Sequence, residues 1–184
     1  MEFRETELPG VLVIEPDVHQ DPRGFFLEVW HGGRYGEKGI PPIVQLNHSR
    51  SVKHTLRGLH AQIEHPQGKL VRALEGTIFD VAVDVRRGSP TFGKWVSVEL
   101  SAGSFRQIYV PTGFIHGFVV LSDHAQVEYG CTELHRPEDE IVVAWDDPEI
   151  GVRWPVESPV LSARDRSAVR LAELMDRLPT YDAD

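Results

Sequence analysis

The sequence contains a single cysteine, Cys131, among its 184 residues, so an intrachain disulfide and a zinc site built from several thiolates are both excluded. Such usage fits a reducing compartment. Long apolar runs are missing too. Stretches such as Val11 to Ile14 or Phe118 to Leu121 fall far short of the roughly 20 residues a membrane helix needs. The opening Met1-Glu2-Phe3-Arg4-Glu5 is acidic and leads into no continuous apolar segment, which argues against a secretory signal and for a cytoplasmic protein. Positive charge is scarce: the formal net charge of -9 at pH 7 speaks against general nucleic-acid binding, which rewards basic faces. A small anionic ligand stays open, because one pocket can gather a few arginines within an acidic surface. No repeat, low-complexity tract or Gly/Ser linker divides the chain. With 41% hydrophobic and 26% charged residues, it is expected to form one domain over residues 1–184, large enough to bury a core.

What is present is a series of short apolar runs punctuated by glycine and proline. Thr77 to Val85 alternates most clearly, with Phe79, Val81, Val83 and Val85 on one face and Ile78, Asp80, Ala82 and Asp84 on the other. The first face is expected in the core, and the second either meets solvent or lines a polar cavity. Further strands are expected at 11–14, 24–30, 69–74, 94–100, 107–110, 117–121, 126–132 and 141–145. Turn signals such as Arg87-Gly88-Ser89-Pro90 and Pro111-Thr112-Gly113 separate them. Short strands at this spacing favour a mainly β jelly roll or barrel. Helix is expected mostly at the end, where Val169, Ala172, Met175 and Leu178 recur every three residues after a possible cap at Ser167 and before Pro179. That helix should pack outside the barrel.

Four segments could carry chemistry. Leu56-Arg57-Gly58-Leu59-His60-Ala61-Gln62, followed by Gln67-Gly68-Lys69, sets His60 between cations that would favour a neutral imidazole, the form a general base requires. Equally, His60 could be one of nine histidines with a structural role. Pro111-Thr112-Gly113-Phe114-Ile115-His116-Gly117-Phe118 feeds His116 from a turn into a strand, with glycines that permit close approach of a ligand; a plain turn with a carbonyl-bonded histidine fits as well. Tyr129 shares a strand face with Val127 and points inward if Val127 does, either as a core tyrosine or as a site group. Asp165, in Leu161-Ser162-Ala163-Arg164-Asp165, could hold a histidine in one tautomer or simply begin a helix. A metal-binding barrel usually offers a His-x-His pair, but Gln62 stands where the second imidazole would be, and a site from His60 and His116 alone is short of ligands.

Taken together, these segments resemble the dTDP-4-dehydrorhamnose 3,5-epimerases. The likeness runs in order through Asp21-Pro22-Arg23-Gly24-Phe25-Phe26-Leu27-Glu28, Gln45-Leu46-Asn47-His48-Ser49, Leu56 to His60, Gln67 to Val71, Asp80 to Arg86, Gly88 to Gly93, Pro111 to Phe118, Trp145-Asp146-Asp147-Pro148, Trp154-Pro155 and Leu161 to Asp165. The resemblance implies a cupin-type double-stranded β-helix with a few short helices, a homodimer that exchanges strands, and no metal or other cofactor. It implies a substrate, dTDP-4-dehydro-6-deoxy-D-glucose, whose C4 ketone acidifies the protons on C3 and C5. Carried over by motif, His60 is the base, Asp165 orients its ring, Tyr129 returns a proton from the opposite face and Lys69 stabilises the enolate oxygen. The same resemblance places Arg23, Phe25, Glu28, Gln45, Asn47, Arg57, His116, His135, Glu140 and Arg164 around the dTDP-sugar, with Arg23 and Glu28 reaching in from a partner subunit.

The chain departs from the family pattern at Leu46 (usually aspartate), Ala61 (a common aromatic), His135 (an aromatic that stacks on thymine) and Arg164 (usually lysine). These changes are expected to touch recognition more than chemistry. The nearest alternative is an epimerase that inverts only C3 or only C5, and a ketoisomerase of the same barrel type is more distant. A metal-dependent cupin oxygenase and a non-catalytic sugar-binding barrel are rivals of other classes.

Overall fold

The computed structural model describes residues 1–182. Thirteen strands run in chain order: β1 (Glu2–Glu5), β2 (Leu12–Glu15), β3 (Val18–Asp21), β4 (Gly24–Leu27), β5 (Gln45–Val52), β6 (Leu56–Gln62), β7 (Lys69–Glu75), β8 (Thr77–Asp84), β9 (Trp95–Ser101), β10 (Gln107–Val110), β11 (Phe114–Val120), β12 (His124–Cys131) and β13 (Glu140–Val142). A short helix, α1 (Gly32–Gly36), follows β4; a second, α2 (Ala163–Arg166), precedes a 3₁₀ helix at Leu171–Arg177. Six strands form one sheet in the order β1-β2-β10-β7-β12-β5, five form another in the order β13-β6-β11-β8-β9, and β3 with β4 makes a separate hairpin. Two sheets facing each other with crossing connections are the jelly roll expected from the spacing of the runs.

Strand alternation divides the apolar residues among three clusters. Val71, Ala73, Ile108 and Val127 of one sheet meet Ile78, Ala82, Phe118 and Val120 of the other between the sheets. On the outer face of the five-stranded sheet, Leu59, Val81, Val83, Val85, Ile115 and Ile141 are covered by Leu171, Leu174 and Leu178. On the outer face of the six-stranded sheet, Ile14, Leu70 and Tyr109 are covered by Tyr35 and Ile40. Both faces of β8 are therefore buried. Its carboxylate face lines the interior at Asp80, and Asp84 is fully enclosed, accepting hydrogen bonds from Arg86, Ser89 and Thr91.

The C-terminal segment packs outside the barrel as expected, but in another form. Ser167 closes α2 instead of opening a helix, and the next helix is 3₁₀ with Arg170 before it. Its buried stripe is Leu171, Leu174 and Leu178, whereas Val169 and Met175 are exposed. Of the four residues in the expected three-residue recurrence only Leu178 is buried, so the recurrence marked the exposed side of this segment. Anchoring comes from Asp147, whose Oδ2 accepts the Leu171 N–H at 2.8 Å. Strand ends also shift: the expected 24–30 run stops at Leu27, 141–145 shortens to Glu140–Val142, and β11 begins at Phe114.

One buried carboxylate fixes the loop after β6. Asp139 accepts backbone hydrogen bonds from Ile63, Glu64 and His65 at 3.1, 2.8 and 2.7 Å. Burial works to raise its pKa, but those three N–H donors outweigh it and hold the carboxyl below the usual value. A depressed folded-state pKa contributes stability that is present above the unfolded value, about 3.9, and is lost as pH falls through the folded one. Asp139→Asn is accordingly expected to destabilise the protein at neutral pH by about 1–3 kcal/mol and to flatten the loss of stability below about pH 4. Denaturant titrations at several pH values measure both effects, and an unchanged acid limb would refute the assignment.

Candidate active site

A cavity of about 330 Å³ opens between the sheets. Strand parity explains which side chains enter it. On β6, Leu59 and Ala61 belong to the outer cluster, so His60 between them faces in. On β11, Phe114, Phe118 and Val120 lie in the intersheet core, and His116 shares their side. On β12, Val127 is in that core and Tyr129 packs against it, so Tyr129 points inward as its parity with Val127 requires. On β5 the usual polarity is reversed: Gln45, Asn47 and Ser49 line the cavity, while Leu46 and Val52 are 64% and 56% exposed on the other face.

His60 and His116 are register partners across β6 and β11. Gly58 and Gly117 set that closeness: a Cβ on Gly58 would lie 2.6 Å from the Gly117 Cα, and one on Gly117 would lie 2.8 Å from the Arg57 carbonyl oxygen. The close approach allowed by Gly117 is thus to a neighbouring strand and not to a ligand, whereas Gly113 adopts a φ of +84° in the turn.

Each histidine is held by a carboxylate. His60 Nε2 lies 2.6 Å from Asp165 Oδ1, and Ser162 donates to Asp165 Oδ2 at 2.7 Å. Ser162 also caps α2 by accepting the Asp165 N–H at 3.0 Å, so Asp165 both lies in the first turn of a helix and meets a histidine. Burial pushes the Asp165 carboxyl up, yet the hydrogen bonds from His60 and Ser162 prevail and hold it below its ordinary value. An ionised carboxylate only accepts hydrogen bonds, which assigns the Nε2 proton to His60 and leaves a lone pair on Nδ1. Nδ1 sits 3.8 Å from Glu140 Oε1. His116 Nε2 lies 2.9 Å from both oxygens of Asp80, a fully buried carboxyl whose pKa burial raises.

Two further groups meet the same space. Burial pushes the Tyr129 hydroxyl above its usual pKa, and it lowers that of the Lys69 ammonium, which rests 3.4 Å from the His60 carbonyl oxygen. A lowered ammonium is a stronger proton donor toward a developing oxyanion. Arg57, anchored by Nε to Ser51 Oγ at 3.0 Å, and Arg164, paired with Glu140, add positive charge at the wall.

The structure therefore brings His60, Tyr129, Asp165, Lys69, Gln45, Asn47, Arg57, His116, His135, Glu140 and Arg164 around one cavity. Arg23, Phe25 and Glu28 lie elsewhere in the same chain. Arg23 pairs with Asp21 on the hairpin, Phe25 is 60% exposed against Phe105, and Glu28 binds Arg34 at 2.8 Å. Sequence reasoning missed the wall residues Ser49, Phe118 and Cys131, and gave Gln67 and Ser162 no site role. Of the departures at 46, 61 and 135, only His135 borders the cavity; Leu46 and Ala61 face away from it. Gln62, in the place of a second imidazole, donates to the carbonyls of His65 and Leu134 and accepts from the Arg136 N–H. Among the described residues no group of three or more His, Cys, Asp or Glu is placed to hold a metal ion.

A jelly roll with a carboxylate-braced histidine in its interior cavity defines the class: a cupin-type barrel. The chain belongs, within that class, to the dTDP-4-dehydrorhamnose 3,5-epimerase family, whose pattern matches residues 5–173. It is 48% identical over 175 residues to the dTDP-4-dehydrorhamnose 3,5-epimerase of Methanothermobacter thermautotrophicus, covering 93% of this chain and 95% of that protein. Among solved structures, the dTDP-6-deoxy-D-glucose-3,5-epimerase of Legionella pneumophila, in complex with dTDP-4-keto-L-rhamnose, superposes with a TM-score of 0.96 at 46% identity, covering 99% of each chain. A 3'-monoepimerase from Streptomyces bikiniensis, in complex with dTDP-quinovose, superposes with a TM-score of 0.89 at 36% identity, covering 96% of this chain and 92% of that one.

Proposed function

We propose that this chain is an isomerase that inverts C3 and C5 of dTDP-4-dehydro-6-deoxy-D-glucose to give dTDP-4-dehydro-L-rhamnose, for dTDP-L-rhamnose biosynthesis. The observation that carries the reading is the 2.6 Å contact of His60 with Asp165 beside a cavity that also holds Tyr129 and Lys69. His60 Nδ1 removes the proton next to the ketone, Lys69 donates to the enolate oxygen, and Tyr129 protonates the carbon from the opposite face. Arg57 and Arg164 suit the diphosphate, since guanidinium matches phosphate geometry. His135 offers the base a smaller stacking surface than tyrosine. None of these steps calls on a cofactor.

We further propose one domain over residues 1–184, working in the cytoplasm as a homodimer. Three apolar clusters that draw on both large sheets support a single domain. No helix among the described residues is long and apolar enough to cross a membrane. The hairpin bearing Arg23, with Phe25 and Phe26 60% and 71% exposed, is suited to carry Arg23, Phe25 and Glu28 toward a second copy's cavity.

Proton NMR of the nucleotide sugar in D₂O tests the reaction. Deuterium is expected at both C3 and C5, each with inversion, and Tyr129→Phe is expected to slow completed inversion by about 10²-fold or more, as for loss of a positioned acid. Likeness to the 3'-monoepimerase favours a second reading, in which only one carbon exchanges. Exchange at neither carbon would exclude both.

A further inference from the structure

We infer that Glu140 is the proton outlet of His60, the group that resets the base between the first and the second inversion. This rests on the epimerase reading and extends it to a step that two inversions on one bound substrate impose. Each inversion leaves His60 one proton richer and Tyr129 one poorer than before. The second cannot start until the His60 proton has gone elsewhere.

Asp165 is unsuited to take it. Its oxygens already accept from His60 Nε2 and Ser162, and a carboxyl held below its ordinary pKa stays ionised while it stabilises the imidazolium. The abstracted proton is on the other nitrogen, Nδ1, and the carboxylate within 4 Å of Nδ1 is Glu140, with Oε1 at 3.8 Å. A shift of under an ångström brings that pair into hydrogen-bond range. Register makes the placement structural: on β13, Val142 pairs with His60 and Glu140 with Gln62.

The far oxygen of Glu140 is paired with Arg164, whose side chain is 45% exposed while that of Glu140 is 11% exposed. Two consecutive residues of α2 thus address the two sides of one imidazole, Asp165 directly and Arg164 through Glu140. Arg164 engages the far oxygen and so fixes the direction in which Oε1 faces the imidazole. The step balances: the Nδ1–H bond breaks, an O–H bond forms at Oε1, that proton passes to water in the cavity that Glu140 lines, and water returns a proton to the Tyr129 oxygen. Neutral His60 and ionised Glu140 are restored. Lys69 rests on the His60 carbonyl oxygen, His116 is held by Asp80 and Arg57 by Ser51, which leaves Glu140 as the carboxylate facing Nδ1. Glu140 acts through His60 and is in that sense a positioning residue.

Glu140→Gln keeps the shape and removes the ability to take a proton. In D₂O, early samples of this variant are expected to accumulate sugar exchanged and inverted at one carbon, with the second inversion slowed by about 10²-fold, the lower range for a positioned proton acceptor. KM should change little, added formate should restore the second inversion, and Glu140→Asp should lie between. A raised KM with an unchanged ratio of singly to doubly inverted product would overturn the inference in favour of a substrate contact. Equal slowing at both carbons with no response to formate would overturn it in favour of a structural role. Exchange at one carbon only in the unsubstituted protein would instead remove the double-inversion reading, and this role with it.

Discussion

His60→Ala is expected to lower kcat by about 10²–10⁴-fold, the range for loss of a positioned general base, while binding of the nucleotide sugar changes only a few-fold. The two effects separate because His60 contributes one partly buried imidazole to a wall that also presents Arg57, Arg164, Gln45 and Asn47. On the proposed reading, the diphosphate and the base keep their partners when the ring is lost. What disappears is the Nδ1 lone pair, made available because Asp165 engages Nε2 at 2.6 Å. Titration calorimetry with dTDP and turnover of the 4-keto sugar followed by NMR measure the two sides. Retained turnover would sink the assignment of His60 as base. Affinity lost in the variant, with no turnover in either protein, would support the sugar-binding barrel.

The second large effect is structural in origin. Gly58→Ala is expected to destabilise the fold by about 3 kcal/mol or more, which lowers Tm by roughly 6–12 °C for a chain of this size. The new methyl would sit 2.6 Å from the Gly117 Cα and 2.9 Å from the His116 carbonyl oxygen, and Gly58 has a φ of +136°. Both obstacles are backbone, so no rotamer change relieves them. β6 and β11 must separate, moving His60 relative to His116, and a misplacement near 1 Å is worth about 10²-fold in rate. Thermal unfolding and kcat should fall together. Gly103→Ala, with nothing within 4 Å of its Cβ and no positive φ, is the control and should leave both unchanged. A Gly58→Ala protein with parental Tm would refute the close-packing argument.

The strands visible in the sequence were those whose apolar residues are buried, such as β8, with Val81 and Val83 covered from outside, and β12, with Val127 between the sheets. β5 was invisible as a strand because its buried side is Gln45, Asn47 and Ser49 and its apolar residues Leu46 and Val52 face out, the inverse of the pattern that marks a core strand. β6 was read as a catalytic motif and not as an element, since Gly58 and Arg57 dilute its alternation. Asp80 and Asp84 were legible as an anomaly, two carboxylates on a strand face, but their partners His116 and Arg86 are fixed by sheet register and a turn. The chemical groups of the cavity came through the ordered motifs, whereas Phe118 and Cys131 needed strand parity in three dimensions. Arg23, Phe25 and Glu28 are the converse: the motif names them, and the fold of one chain leaves them outside its own cavity.

The hydrogen bond between His60 and Asp165 joins positions 105 residues apart. Chains are synthesised from the N-terminus, and folding can begin before synthesis ends. β6 through β12 can therefore close the cavity walls while α2 has yet to emerge, and the imidazole then has no carboxylate to select its tautomer. A nascent chain in that state has a cavity and no oriented base. Catalytic competence is among the last properties this molecule acquires, which makes the appearance of turnover a reporter of the end of folding and not of barrel formation.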